Sequence, residues 1–464
     1  MLVVSMDSML HLKSKDQGNA IIRQACRDNT YETPKREKPA GKAYKYLYRW
    51  DSAGVHFPRG YAGEFFRQFP TLYSQMEDSR SIAPAAIPAL QGIILRDYQQ
   101  RAVDVIGKLD QGIIEAPTGA GKTIIGLSLM HKAQQRVLVL VHNKALLQQW
   151  QQVIRTLLGI EAGVIGDGQW HEGEQITIAV IQTLVKRFDQ LPSLGRGYGL
   201  LMVDECHHIP ANTFSAVVNE LPCKYRFGLT ATPWRNDGLH EIIARYIGRN
   251  LVKISAGEVE QSGGIVGAQV VRVHVGGCDS DWVDDYENHE DYRYHEFVTD
   301  LVLCERRNEM IMQLATEQAW HTPTLILTDR IQHAEALCQM SPEAVLVHGG
   351  LGKKTREQAM QAMARADLSV GTFGTLGEGV DVARWGSLVL ALPTGSRARV
   401  LQALGRVLRA SEGKQSALVY DICDMHPFAE KNMGKRLAIY RERGYSVREL
   451  VDYVEGSQVD ECLL

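Results

Sequence analysis

Residues 116–123, Ala-Pro-Thr-Gly-Ala-Gly-Lys-Thr, follow a short apolar run at 112–115 and precede a helical stretch from about Lys122. A glycine-rich loop in this setting needs a strand entering and a helix leaving, so the chain has to build an α/β layer around it. Gly119, Ala120 and Gly121 let backbone N–H groups curl around phosphate at a helix N-terminus, while Pro117 and Thr118 complete the loop. In that chemistry Lys122 charges the β and γ phosphates and the Thr123 hydroxyl ligates magnesium. A second apolar run, 199–203, ends in Asp204-Glu205-Cys206-His207. Adjacent carboxylates at the end of a buried strand are costly unless they face a cation. Asp204 is therefore read as a magnesium ligand and Glu205 as the residue that polarises the attacking water. A helix cap would explain an acidic pair standing alone, but not one about 80 residues after a phosphate loop. His207 and His208 lack a further ligand at metal spacing, so a transition-metal site is set aside.

Apolar unalternating runs recur at 112–115, 137–141, 176–181, 199–203 and 226–230, separated by helical stretches, and again at 324–327, 344–347, 368–372, 388–392 and 417–421. This is the pattern of two parallel sheets covered by helices. The expected layout is a small α+β N-terminal accessory domain at 1–88, a first α/β domain at 89–255, a connector at 256–315, a second α/β domain at 316–425 and a tail at 426–464. The Ala-Pro run at 81–88 is taken as the linker after the accessory domain. With 45% hydrophobic and 23% charged residues the chain is of globular type. No apolar run reaches the ~18 residues of a membrane helix and no signal pattern opens the chain, so a cytoplasmic protein without membrane partners is expected. The eight cysteines have no paired or metal-ligand spacing and read as free thiols.

The motifs together resemble superfamily 2 helicases and translocases. Leu95-Arg96-Asp97-Tyr98-Gln99, the phosphate loop, the Asp-Glu-Cys-His box and Thr230-Ala231-Thr232-Pro233 resemble motifs Q, I, II and III, while Gly379-Val380-Asp381 and Gln402, Gly405, Arg406 and Arg409 resemble motifs V and VI. The run 227–238 is most similar to the xeroderma pigmentosum group B (XPB) type, a group that takes in phage helicases and type III restriction-like translocases. The resemblance implies two RecA-like domains, with ATP and magnesium as cofactors. Arg96, Gln99, Gly379 and Asp381 would contact nucleotide, with Gln99 on adenine. Gln402, Arg406 and Arg409 would serve catalysis, the arginines as fingers placed three apart on one helical face. By the same resemblance Asn143, Lys144, Gln182, Thr183, His348, Gly349 and Thr372 would grip the nucleic-acid backbone without reading bases. The preference for DNA, single-stranded or branched, also comes from the XPB-type resemblance. RNA and an unidentified protein partner stay open, as does the process served, whether replication, recombination, repair or defence in a bacterial or phage-infected cell.

Charge is segregated along the chain. Residues 13–67 hold 12 Lys or Arg against 6 Asp or Glu, whereas 276–310 hold 3 against 11. Within the basic segment, Tyr44-Lys45-Tyr46-Leu47-Tyr48-Arg49-Trp50 alternates strictly and predicts one strand with four aromatics on a face, followed by a turn and a returning strand. Either that face packs on a small core, or Lys42, Lys45 and Arg49 belong to a basic, aromatic-edged platform for DNA. The function expected is an ATP-dependent DNA helicase or translocase. The alternatives are a duplex translocase subunit of a restriction or defence assembly that never separates strands, and an ATP-gated nucleic-acid clamp.

Overall fold

Aliphatic runs without polar alternation become central strands of parallel sheets, because helices cover both their faces. The computed structural model describes residues 2–15, 19–32, 44–105, 108–208, 212–231, 240–276, 294–376 and 382–450. The chain divides into two units, Met1–Ser255 and Ala256–Leu464.

The first unit opens with β1 (Leu2–Met6), β2 (Met9–Ser14), β3 (Thr30–Glu32), β4 (Tyr44–Tyr46), β5 (Arg49–Asp51), β6 (Gly54–Pro58) and β7 (Glu77–Asp78). Five of these make a sheet in the order β5-β6-β2-β1-β7, and β3 pairs with β4 alone. The helices Ala20–Asp28 and Ala62–Gln68 belong to this module, whose own core gathers Leu10, Leu12, Val55, Phe57, Tyr61 and Phe65. Next come β8 (Gln111–Glu115), β9 (Val137–Val141), β10 (Gly163–Gly166), β11 (Gln169–His171), β12 (Ile176–Val180), β13 (Leu200–Val203), β14 (Tyr225–Thr230) and β15 (Asn250–Lys253), in the order β11-β10-β12-β9-β13-β14-β8-β15. All pairs are parallel except β10 with β11.

The expected linker at 81–88 is instead a strap bound along this second sheet. Ser81 N–H donates to the Pro222 carbonyl at 2.8 Å, Arg136 N–H donates to the Ala83 carbonyl at 2.7 Å, and Ile87 is buried. Alanine and proline are permissive in loops, but here the strap's backbone groups find partners on a sheet. Two fully buried arginines fasten the N-terminal module to the same sheet. Arg59 donates from Nη1 to the Cys223 carbonyl at 2.6 Å and from Nε to Gln111 Oε1 at 2.8 Å. Arg226, on β14, donates from Nη2 to the carbonyls of Ser8 at 3.2 Å and Leu221 at 2.9 Å. Burial pulls the Arg226 pKa down to about 10, which leaves it charged at neutral pH.

The second unit holds β16 (Gly267–Val275), β17 (Thr324–Thr328), β18 (Val345–Val347), β19 (Leu368–Thr372), β20 (Ser387–Leu390), β21 (Ser416–Asp424) and β22 (Ser446–Leu450), all parallel in the order β18-β19-β17-β20-β21-β16-β22. Two expectations are corrected here. Residues 267–275, assigned to a connector, pair with β21 along nine residues, and the tail contributes the helix Pro427–Glu442 and β22. The reason is long-range pairing: Arg272 and His274 of β16 meet Glu449 of β22 at 2.7 and 2.6 Å, so polar residues that look exposed in sequence are matched across strands. Residues 451–464 lie outside the described residues. Cys304 also departs from expectation, since it is disulfide-bonded. Among the described residues no helix is long and apolar enough to cross a membrane.

His333 lies wholly buried in this unit. Its Nδ1 is 2.9 Å from Thr328 Oγ1 and its Nε2 is 2.9 Å from Asn308 Oδ1, a set that satisfies the neutral ring. Burial, helped by the Arg307 charge, lowers its pKa from 6.5 to about 3. Between those values the unfolded chain takes up a proton that the folded unit refuses. Stability present above pH 6.5 is therefore lost on acidification, at up to about 1.4 kcal/mol per pH unit. His333→Gln is expected to flatten the pH dependence of the urea midpoint between pH 6 and 4 relative to the parent chain; equal slopes would show that the imidazole is not held neutral.

Candidate active site

Three loops leave one edge of the second sheet, because β13, β14 and β8 are neighbours and run parallel. They are the phosphate loop after β8, the Asp204 turn after β13 and Thr230 at the end of β14. Ala116 N–H donates to the Thr230 carbonyl at 2.9 Å, which splices two of them together.

The helix Lys122–Ala133 begins on Gly121, whose φ of +76° follows Gly119 at +85°. Only glycine takes these angles without strain. A Cβ on Gly121 would also stand 2.6 Å from Gln99 Nε2. Gln99 is buried, donates from Nε2 to the Ala120 carbonyl at 3.1 Å and accepts the Arg96 N–H at 3.0 Å. Tyr98 donates its hydroxyl to the same carbonyl at 3.2 Å. The segment at Arg96–Gln99 is thus a brace under the loop, and an amide of this kind still has one N–H and one lone pair for a base edge.

Lys122 Nζ is 3.5 Å from Glu205 Oε1 and 3.5 Å from its own loop's Ala116 carbonyl. Glu205 has φ +46°, a left-handed conformation that costs a non-glycine residue about 1–2 kcal/mol. Its N–H donates to Asp204 Oδ1 at 3.0 Å, while Trp150 Nε1–H donates to Asp204 Oδ2 at 2.8 Å. Burial first, and the neighbouring Glu205 charge second, raise the Asp204 pKa to about 6; the Trp150 bond and Lys122 pull the other way. His207 Nδ1 lies 3.3 Å from Glu205 Oε2 and 3.2 Å from Thr230 Oγ1, joining the acidic turn to the end of β14. A buried carboxylate and a half-buried one against one lysine form an oxygen donor set that suits a hard divalent cation carrying phosphate. Trp150 was not foreseen. Its place on the apolar face of the helix Lys144–Leu158 predicts burial but says nothing of the carboxylate its indole meets.

The residues expected to grip nucleic acid fall into different settings. Asn143 caps a helix, its Oδ1 accepting the Leu146 N–H at 2.9 Å, and Lys144 pairs with Asp167. Gln182 is exposed and Thr183 half-buried at the start of the helix Ile181–Val185. In the second unit Gly349 is exposed, whereas His348 and Thr372 are buried. His348 is buried, with Nε2 3.4 Å from Glu335 and Nδ1 accepting the Gly350 N–H at 3.2 Å; Thr372 is buried against Thr375. Their polarity serves the fold where strand ends turn into loops. The helix Arg397–Val407 carries Gln402 and Arg406 and ends before Arg409, which bridges to Ile265. The two arginines therefore do not share a helical face. Burial lowers the Arg409 pKa. Lys42, Gly379 and Asp381 lie outside the described residues.

The family described as "Type III restriction enzyme, res subunit" matches residues 92–235. The chain is 28% identical over 391 residues to "DNA 3'-5' helicase XPB" of Kineococcus radiotolerans, covering 80% of this chain and 67% of that protein. It is 26% identical over 386 residues to "Probable helicase D10" of Escherichia phage T5, covering 80% of each. Among solved structures, S. cerevisiae Dbp5 bound to RNA and ADP BeF3 matches in fold, with a TM-score of 0.55, 12% identity and coverage of 83% of this chain and 92% of that one.

Gly121→Ala combines a strained φ with a collision against Gln99, so nucleotide affinity is expected to fall at least tenfold and the melting temperature to drop. Gly63→Ala, where a Cβ meets nothing within 4 Å, is the control and should change neither. A fluorescent-nucleotide titration of both variants checks this; parent-like affinity for Gly121→Ala would mean that the loop is not the nucleotide cradle.

Proposed function

We propose that the chain is a member of the XPB-like, type III restriction-like group of superfamily 2 helicases and that it couples ATP hydrolysis to movement along DNA. The observation that carries this reading is the 3.5 Å approach of Lys122 to Glu205, with His207 tying that pair to Thr230. It joins a phosphate-charging lysine, a water-activating carboxylate and a strand end whose shift would register a change at the nucleotide.

In this reading the N–H groups at 118–121 and Lys122 hold the phosphates, and Gln99 and Arg96 border the base. Thr123 and Asp204 hold magnesium, which when bound supplies charge to the phosphates. Glu205 orients and polarises the attacking water, with His207 fixing its carboxylate. Arg406 and Arg409 are proposed as the cations that the developing charge of phosphoryl transfer calls for, with Gln402 as a further catalytic residue. Asn143, Lys144, Gln182, Thr183 and Gly349 are proposed as backbone contacts to DNA. The module before residue 88 is proposed as an accessory nucleic-acid-binding domain. DNA as the track is supported by the names of the relatives, which include a DNA helicase.

Lys122→Ala is expected to lose both nucleotide affinity and turnover. Glu205→Gln, which acts on the water alone, should keep ATP and DNA binding within about threefold while kcat falls at least a hundredfold. ATPase assays on single-stranded, forked and blunt duplex DNA, followed by strand and triplex displacement, test the reading. Turnover of Glu205→Gln within a few-fold of the parent would overturn the assignment, and triplex displacement without strand displacement would make the protein a translocase only.

A further inference from the structure

The alternating segment 44–50 does not form the single strand its pattern predicts. The chain pairs as β4 with β3, then turns inward at Leu47 and Tyr48 before β5 joins β6. Leu47 is buried in the core cluster of the second sheet, and its N–H donates to the Asn29 carbonyl at 2.9 Å. Tyr48 packs against Phe57 of the N-terminal core, ring centroids 5.8 Å apart. One aliphatic and one aromatic anchor thus fix the ribbon to two cores at its middle.

The other three aromatics stay outside. Tyr44, Tyr46 and Trp50 are 48%, 59% and 53% exposed. Tyr46 keeps an edge contact with Tyr48, ring centroids 5.8 Å apart, yet all three rings leave about half of their surface open within seven residues. Between them stand Lys45, half-buried, and Arg49, exposed, whose nearest carboxylate, on Glu220, is 3.9 Å away. Such an exposed pair contributes little to stability. Flat apolar rings alternating with cations match a partner that alternates flat π faces with negative charge. A closed duplex offers the charge but keeps its base faces in the stack, whereas an unpaired strand offers both.

We propose that Tyr44, Tyr46 and Trp50 form a stacking platform for the bases of an unpaired DNA strand, with Lys45 and Arg49 holding its phosphates. This rests on the helicase or translocase reading above and deepens it. The ribbon supplies base stacking, which sequence-neutral backbone contacts cannot, and it is anchored to the unit that carries Lys122 and Glu205.

The test uses the full chain carrying Tyr44→Ala, Tyr46→Ala and Trp50→Ala together, with labelled oligo-dT and a blunt duplex of equal length titrated across a salt series. Oligo-dT affinity is expected to fall at least tenfold, duplex affinity to change less than twofold and the slope of log K against log salt to stay as in the parent, since no charge is removed. Lys45→Ala with Arg49→Ala should instead reduce the oligo-dT salt slope by about 1.4, at ~0.7 per phosphate contact on a single strand. Replacing the three aromatics by Phe should restore oligo-dT affinity to within about threefold of the parent, which separates stacking from misfolding. Unchanged oligo-dT affinity in the alanine variant, or equal losses on oligo-dT and duplex, would overturn the platform while leaving a DNA-stimulated ATPase intact. A parent chain that binds neither DNA and is stimulated by none would overturn both this proposal and the reading beneath it.

Discussion

The active edge depends on keeping two carboxylates, Asp204 and Glu205, at the end of a buried strand with one lysine for company. Burial opposes the Asp204 charge, as its raised pKa records, and Glu205 adds backbone strain. Lys122 at 3.5 Å, the Trp150 indole and His207 offset part of that cost. A site assembled this way is stabilised further by a ligand that brings positive charge to the carboxylates and phosphate to the loop, which is how a hydrolysis site becomes responsive to what occupies it.

The opposite edge of the same sheet, where β8 and β14 begin, is tied to the N-terminal module. Arg226 lies on β14, whose last residue is Thr230, and its guanidinium reaches the Ser8 carbonyl of that module. Arg59 reaches the other way, to Cys223 and Gln111. Neither arginine meets a carboxylate in these contacts; carbonyl and amide oxygens take their N–H groups. Removing either would strand buried acceptors on both sides, so the accessory module and the second sheet behave as parts of one unit rather than as beads on a linker.

The nucleotide loop and the acidic turn were readable in the residues because their chemistry needs fixed types at fixed spacing, and buried parallel strands advertise themselves by unbroken aliphatic runs. What escaped was decided at long range. Strand β16 looked like connector because Arg272 and His274 find Glu449 177 and 175 residues later. Trp150 gave no hint of Asp204, nor His348 of Glu335 and the Gly350 N–H. Arg409 fell off its expected helix because that helix ends at Val407. The segment 44–50 followed its alternation only where pairing partners existed, and Leu47 was drawn to a neighbouring core instead.

The central claim is that hydrolysis at this edge drives movement along DNA. Its most direct test is the steady-state ATPase rate of the intact chain on linear DNA of increasing length at saturating ends. A moving enzyme turns over more ATP per binding event on longer tracks, so kcat should rise with length toward a plateau. A rate stimulated by DNA but independent of its length would contradict the account and leave a nucleic-acid-gated ATPase that does not travel.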